Sequence, residues 1–161
     1  MMHLAQFNIA RLKAPTDDPA TAEFMANLDR INGLGRRMPG FVWMLEGQTG
    51  EGSTDLKIGG DPLMIPNLTV WEDVESFDRF VWGTVHKQFY DRRAEWFEAM
   101  DEMHMVMWWV DPGHRPTLDE GLSRLQHLKD HGNSDHAFGW EHLRSATLWQ
   151  TRRCDAPVAA E

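Results

Sequence analysis

The sequence predicts an α+β domain of the order β-α-β-β-α-β, the split βαβ arrangement of ferredoxin-like proteins, with an extra helix after it. Three observations predict this class. Four short segments alternate or run apolar in the manner of strands. Two amphipathic helical stretches fall after the first and after the third of them. No internal repeat or linker divides the chain, whose 161 residues suit one domain. The reading places the domain at residues 1–145 and a tail at 146–161.

In residues 3–11 (HLAQFNIAR), His3, Ala5, Phe7 and Ile9 share one face and Leu4, Gln6, Asn8 and Ala10 the other, the period of a strand. Asp18-Pro19 starts a helix, with a capping carboxylate and proline at its first position. Phe24, Leu28 and Ile31 form its apolar stripe, and Gly33, Gly35 and Pro39-Gly40 are read as its end. Residues 41–46 (FVWMLE) are the second strand. The stretch 47–60, with five glycines, is a surface loop long enough to suggest a lid or an insertion. Residues 66–72 (PNLTVWE) form the third strand.

Asp73 caps a helix with Val74, Phe77, Phe80 and Val81 on its inner face; after Gly83-Thr84 the pattern resumes to Met100, as one kinked helix or two short ones. Residues 103–110 (MHMVMWWV) are apolar on both faces, which reads as a central fourth strand. Thr117 and Glu120 make a capping box, Leu122, Leu125 and Leu128 carry the last helix, and Gly132 stops it. A short fifth strand falls within 136–142, and the last dozen residues read as a frayed tail.

Acidic residues outnumber basic ones 25 to 16, for a net charge of −9, and the basic residues are scattered. Nucleic acid and anionic membranes are therefore excluded as expected partners, since both are bound by clustered Lys and Arg. There is no apolar run of transmembrane length and no signal-peptide layout, so a cytoplasmic protein is expected. The single cysteine, Cys154, forms no internal disulfide or multi-cysteine metal site. Glycine-rich phosphate loops, a GxSxG elbow and a CxxCH haem-attachment motif are absent from the sequence; noncovalent haem stays open.

The segment 86–97 (HKQFYDRRAEWF) concentrates chemistry. On one continuous helix His86, Tyr90, Arg93 and Phe97 fall on one face. His86 would act as general base and Arg93 would hold an oxyanion. The plainer reading makes His86 an ordinary helix-start residue and pairs Arg93 with a surface glutamate; a one-residue phase shift would exchange Arg92 for Arg93. Eight tryptophans either line a pocket for a flat ligand or fill a core and a subunit interface. Gln6 and Asn8 share a face of the first strand, and Asn67, Thr69 and Trp71 a face of the third; they reach a ligand or satisfy one another. His127 and His131 have i, i+4 spacing, but no third ligand is fixed by pattern, so no metal is expected. His114 orders the turn before the last helix or rims a pocket.

The stretches HLAQFNIAR, ANLDRINGLGRRMPGFVW (26–43), VWEDVESFDRFVW (70–82), HKQFYDRRAEWF and WWVDPGHRPTLDEGLSRL (108–125) resemble a bacterial family, domain of unknown function 3291, over about residues 2–140. The resemblance implies the dimeric α/β barrel superfamily, in which two ferredoxin-like sheets pack face to face. It carries over Gln6, Asn8, Asn27, Trp71, His86, Arg93, Trp96, Trp109 and His114. Departures fall in the glycine-rich loop 47–63 and after His136. Superfamily members include cofactor-free monooxygenases, haem enzymes, isomerases and stress-response proteins.

The expected function is thus a homodimeric small-molecule enzyme without a cofactor, of monooxygenase, isomerase or cyclase type, acting on an aromatic or polyketide-like substrate. His86 and Arg93 are its catalytic pair, and Gln6, Asn8, Trp71, Tyr90 and Trp96 its substrate contacts. A haem enzyme with His86 as axial ligand and a noncatalytic binding or stress-related dimer are the alternatives.

Overall fold

The computed structural model describes residues 1–48 and 52–143; Cys154, Trp149 and the tail lie outside the described residues, as does the boundary at 145/146. Four strands, β1 (His3–Arg11), β2 (Phe41–Met44), β3 (Met64–Trp71) and β4 (Met105–Val110), form one sheet in the order β2-β3-β1-β4. Every neighbouring pair is antiparallel. With α1 (Ala22–Arg37) between β1 and β2 and α2 (Val74–Gly83) between β3 and β4, this is the ferredoxin-like arrangement. A short α3 (His86–Asp91) follows α2, and α4 (Leu118–His131) follows β4.

Strand period divides the core into two layers. Ala5, Phe7 and Ile9 of β1, Leu68 and Val70 of β3, and Val106, Trp108 and Val110 of β4 face α4, where Leu125 and Leu128 complete the layer. Leu4, Trp71 and Met107 face the opposite side, under Phe77, Phe80 and Val81 of α2. The helix after β4 thus covers the sheet face opposite α2. Gly121 lets α4 seat there: a β-carbon on it would lie 2.7 Å from Cγ of the fully buried Phe7. Gly121→Ala is expected to lower stability by about 1–2 kcal/mol despite alanine's better helix propensity, because the overpacked ring cannot yield. A denaturant-midpoint shift measures it.

The caps act as read. Asp73 accepts the Ser76 amide, Thr117 accepts the Glu120 amide, and Gly132 ends α4 at φ +73°. Asp18 accepts the Ala20 amide over the turn Pro19–Thr21 that leads into α1. Three expectations are corrected. Gly33 and Gly35 do not stop α1, which runs on to Arg37; a β-carbon on Gly35 would lie 3.3 Å from the Phe80 ring, so this glycine serves a close approach. β4 is an edge strand, not a central one. Its two apolar faces arise because α4 covers one, while Phe138, which exchanges backbone bonds of 2.7 and 2.9 Å with Met107, covers the other and the open edge. That single bridge and the turn Trp140–His142 stand where a fifth strand was expected. The second amphipathic stretch is two helices, broken at Thr84 and ended by Asp91.

The described part of the 47–63 loop is packed down. Ser53 is buried with its hydroxyl on the Pro66 carbonyl, and Ile58 joins the α4-side core. Among the described residues no helix is long and apolar enough to cross a membrane.

Candidate functional site

The floor of the candidate site is the helix-facing side of β1 and β3. Register sets three rungs: Leu4 opposite Trp71, Gln6 opposite Thr69, and Asn8 opposite Asn67. The polar members form a one-way chain. Trp71 Nε1 donates to Thr69 Oγ1 (2.9 Å), Thr69 Oγ1 donates to Gln6 Oε1 (3.2 Å), and Gln6 Nε2 donates to Asn8 Oδ1 (2.7 Å). Trp71, Thr69 and Gln6 are buried, so each needs its partner. At the end of the chain the Asn8 oxygen is occupied, and its amino group points on as a donor with no partner among the described residues. Asn67 is exposed.

α1 packs on this same side of the sheet. Its start is fixed where Phe24 meets Phe97 edge-on at 5.0 Å, beside the Leu12–Phe97 bridge. Its end is fixed where Gly35 meets Phe80, whose ring stacks on Trp71 at 5.2 Å. Between these anchors Ile31 and Leu34 pack against the layer of Leu4, Trp71 and Phe80. Phe24, Leu28, Ile31 and Leu34 are each half-buried.

α3 follows α2 and packs against it. His86, its first residue, packs on Phe80 with ring centroids 4.8 Å apart, and Phe89 stacks on Trp96 at 5.8 Å. Thr84 ties the turn before it: its hydroxyl donates to the Phe80 carbonyl (2.6 Å) and accepts the His86 amide (3.2 Å). His86 Nδ1 lies 3.2 Å from the Val81 carbonyl. A carbonyl only accepts, so Nδ1 carries the proton and Nε2 holds a lone pair. Burial pushes the imidazole pKa below its ordinary value, against the smaller opposing pull of the Val81 bond, so the ring is neutral at physiological pH.

The arginine column expected beside His86 is not assembled. α3 ends at Asp91, and Arg93 stands in the turn Arg93–Glu95. Its guanidinium is exposed, donates to the Tyr90 carbonyl (2.9 Å) and lies 4.2 Å from the Tyr90 ring centroid. Arg92 turns the other way. It forks onto Glu23 and Glu95 at 2.7–2.8 Å and covers the Trp96 ring at 4.9 Å. These bonds hold both carboxyls below the usual glutamate range. Trp96 is buried between Phe24, Phe89 and Arg92, an end wall rather than an open contact. Tyr90 meets Trp82 edge-on at 5.0 Å. Asn27 spends its amide on the Glu23 carbonyl of its own helix. The structure thus links Trp71, Gln6 and Asn8 through one hydrogen-bonded chain, joins His86 to Trp71 through Phe80, and leaves Arg93 and Tyr90 paired with each other. Thr69, read from sequence as sharing the Trp71 face, is the middle of the chain.

Elsewhere, the rings of His127 and His131, and of His127 and His136, lie 4.5 and 4.6 Å apart. Arg124 Nη1 faces His136 Nδ1 at 3.0 Å, taking the lone pair a metal would need, and no three metal-binding side chains converge among the described residues.

A four-stranded antiparallel sheet with α1 and α2 on one face and α4 on the other defines a ferredoxin-like fold. Within that class the chain belongs to the family described as domain of unknown function (DUF3291), whose model matches residues 3–154. A comparison with curated proteins finds no match. Among solved structures, a conserved protein from Methanosarcina mazei Go1 is similar in fold, with 13% identity over 69% of this chain and 95% of that chain, at a TM-score of 0.50. SnoaB, a cofactor-independent oxygenase from Streptomyces nogalater, shows 17% identity over 73% and 98% of the two chains at 0.48. A dabb family protein with a ferredoxin-like fold from Mesorhizobium loti shows 14% identity over 71% and 100% at 0.44.

Proposed function

We propose that this protein is a cofactor-free enzyme acting on an aromatic or polyketide-like small molecule in the cleft between α1, α3 and the sheet. One observation carries the reading: a neutral histidine, its tautomer fixed by Val81, is joined through Phe80 and Trp71 to a buried hydrogen-bond chain that ends in the unpartnered amino group of Asn8. From the Leu4 rung to the Asn8 rung is about 13 Å at strand rise, which suits a substrate of several fused rings. His86 Nε2 takes a proton from an activated ring CH₂, and conjugation carries the charge to an oxygen held by Asn8. In the monooxygenase form the carbanion gives its electron pair to dioxygen, the peroxide gains a proton, and loss of water leaves a ketone. Isomerisation or cyclisation would use the same carbanion. Asn8 replaces Arg93 as the group on the oxyanion. The homodimer belongs to the same proposal, with α4 rather than bare strands on the partner-facing side.

Two further readings share the site. Internal satisfaction of Trp71, Thr69 and Gln6 favours a noncatalytic binding protein. The Nδ1–carbonyl bond also suits a metal-ligating histidine, so His86 Nε2 is the residue that would hold haem iron. Oxygen uptake is measured with a panel of tricyclic hydroxyaromatic ketones, beside a haemin titration followed from 300 to 700 nm. Saturable uptake without haem supports the proposal. Saturable binding with no turnover favours the binding protein, and a Soret shift abolished by His86→Ala favours haem; either one overturns it.

A further inference from the structure

Away from α1, at the β4 edge, a concavity of about 220 Å³ opens between the N-terminus of β1, the end of β4 and the first turn of α4. Met2, Trp109 and Val110 supply its apolar wall, and His114, Glu120 and Arg124 its polar one. Trp109 is 37% exposed, a large indole left in water beside the opening. Glu120 is held from three sides. Its Oε1 accepts Trp108 Nε1 (3.1 Å) and Arg124 Nη2 (3.3 Å), and its Oε2 meets His114 Nε2 at 2.8 Å. A carboxylate paired with three donors on a helix start is a fixed post, and it orients the imidazole as carboxylates do in histidine-based sites. The carboxylate only accepts, so a proton on Nε2 faces Glu120, and Nδ1 has no partner among the described residues. The His114 amide donates to the Asp111 carbonyl (3.0 Å), which fixes the turn that carries it.

The chemistry narrows the ligand. Arg124 is committed to Glu120 and to the His136 carbonyl (2.6 Å), so no free cation awaits a carboxylate or phosphate. Asp111 and Glu120 add negative charge to the lining. The volume suits one ring rather than several. We propose that this concavity is a second ligand site, distinct from the α1 cleft, that takes a single-ring hydroxyaromatic molecule: the ring stacks on Trp109 and its acidic hydroxyl donates to His114 Nδ1.

The probe is 4-nitrophenol, whose absorption band responds to its surroundings. Saturable binding at one site per chain is expected, read as a shift of that band. Trp109→Ala is expected to weaken binding about tenfold, whereas Trp109→Phe keeps most of it. His114→Ala is expected to weaken binding about tenfold by removing the acceptor. Circular dichroism checks that each variant folds. Nonsaturable binding, or binding indifferent to Trp109→Ala, overturns the proposal. So does binding lost in His86→Ala, which would assign the probe to the α1 cleft.

Discussion

Trp71→Ala is expected to cost about 3–5 kcal/mol of unfolding free energy, the range for deleting a large buried aromatic side chain. Trp71 is fully buried and touches four things that matter. It meets Phe41 edge-on at 5.4 Å, packs on Phe77 at 5.9 Å, stacks on Phe80 at 5.2 Å, and donates to Thr69. The loss therefore empties the joint between β2, β3 and α2 and removes the first donor of the polar chain. Trp71→Phe separates the two contributions. It keeps most of the ring contact and loses only the N–H, so about 1–2 kcal/mol is expected, including the cost of repacking. Chemical denaturation of both variants gives the numbers. A loss below about 1 kcal/mol for the alanine variant would mean that the helix-side layer is loosely packed, contrary to the ring geometry. Because Phe80 lies between Trp71 and His86, the alanine variant is also expected to loosen the histidine.

That layer was largely legible in the sequence, for identifiable reasons. β1 runs His3–Arg11 as read, because one face alternates without interruption against the other. The same period of two placed Gln6 with Asn8, and Thr69 with Trp71, before any pairing was known. Register could not be read this way; which rung meets which depends on the turns and on side chains far along the chain. Two-sided apolarity in β4 reports burial on both faces and is silent on what does the burying, so an edge strand clasped by α4 and Phe138 reads as a central one. Gly35 reads as a stop because glycine has two uses, and only the position of Phe80 shows that this one serves contact. The arginine column failed for a local reason and a distant one. No breaker follows Asp91, so helical phase was carried one turn too far. The fork of Arg92 onto Glu23 spans 69 residues and leaves no trace in local spacing. The pair His114–Glu120 has a faint sequence signal, a histidine just before a capping box, which spacing alone cannot tell from a turn residue.

His86→Ala is expected to lower kcat/KM about 10²–10⁴-fold, the usual contribution of a positioned general base, with a smaller effect on substrate binding. Two pH signatures tie that loss to this imidazole. Burial lowers its folded-state pKa, so the base stays unprotonated below the ordinary histidine value. Activity is then expected to hold from neutrality into mildly acidic solution and to fall only as pH drops through the depressed pKa. An exposed histidine base would already be failing near pH 6.5. The second signature is stability. With the folded pKa below the unfolded one, the unfolded chain binds the extra proton first, so stability falls as pH drops below the unfolded value and levels off below the folded one. His86→Gln is expected to remove that part of the acid sensitivity. His136, also lowered, chiefly by burial and next by Arg124, contributes the same sign and remains in the variant, so the difference between the two curves isolates His86. Urea denaturation at several pH values gives the stability difference, and a pH–rate profile gives the kinetic one. The outcomes separate roles. If the stability difference appears but turnover survives the substitution, His86 is a buried packing residue. If both move together over the same pH window, the imidazole fixed by Val81 is the base.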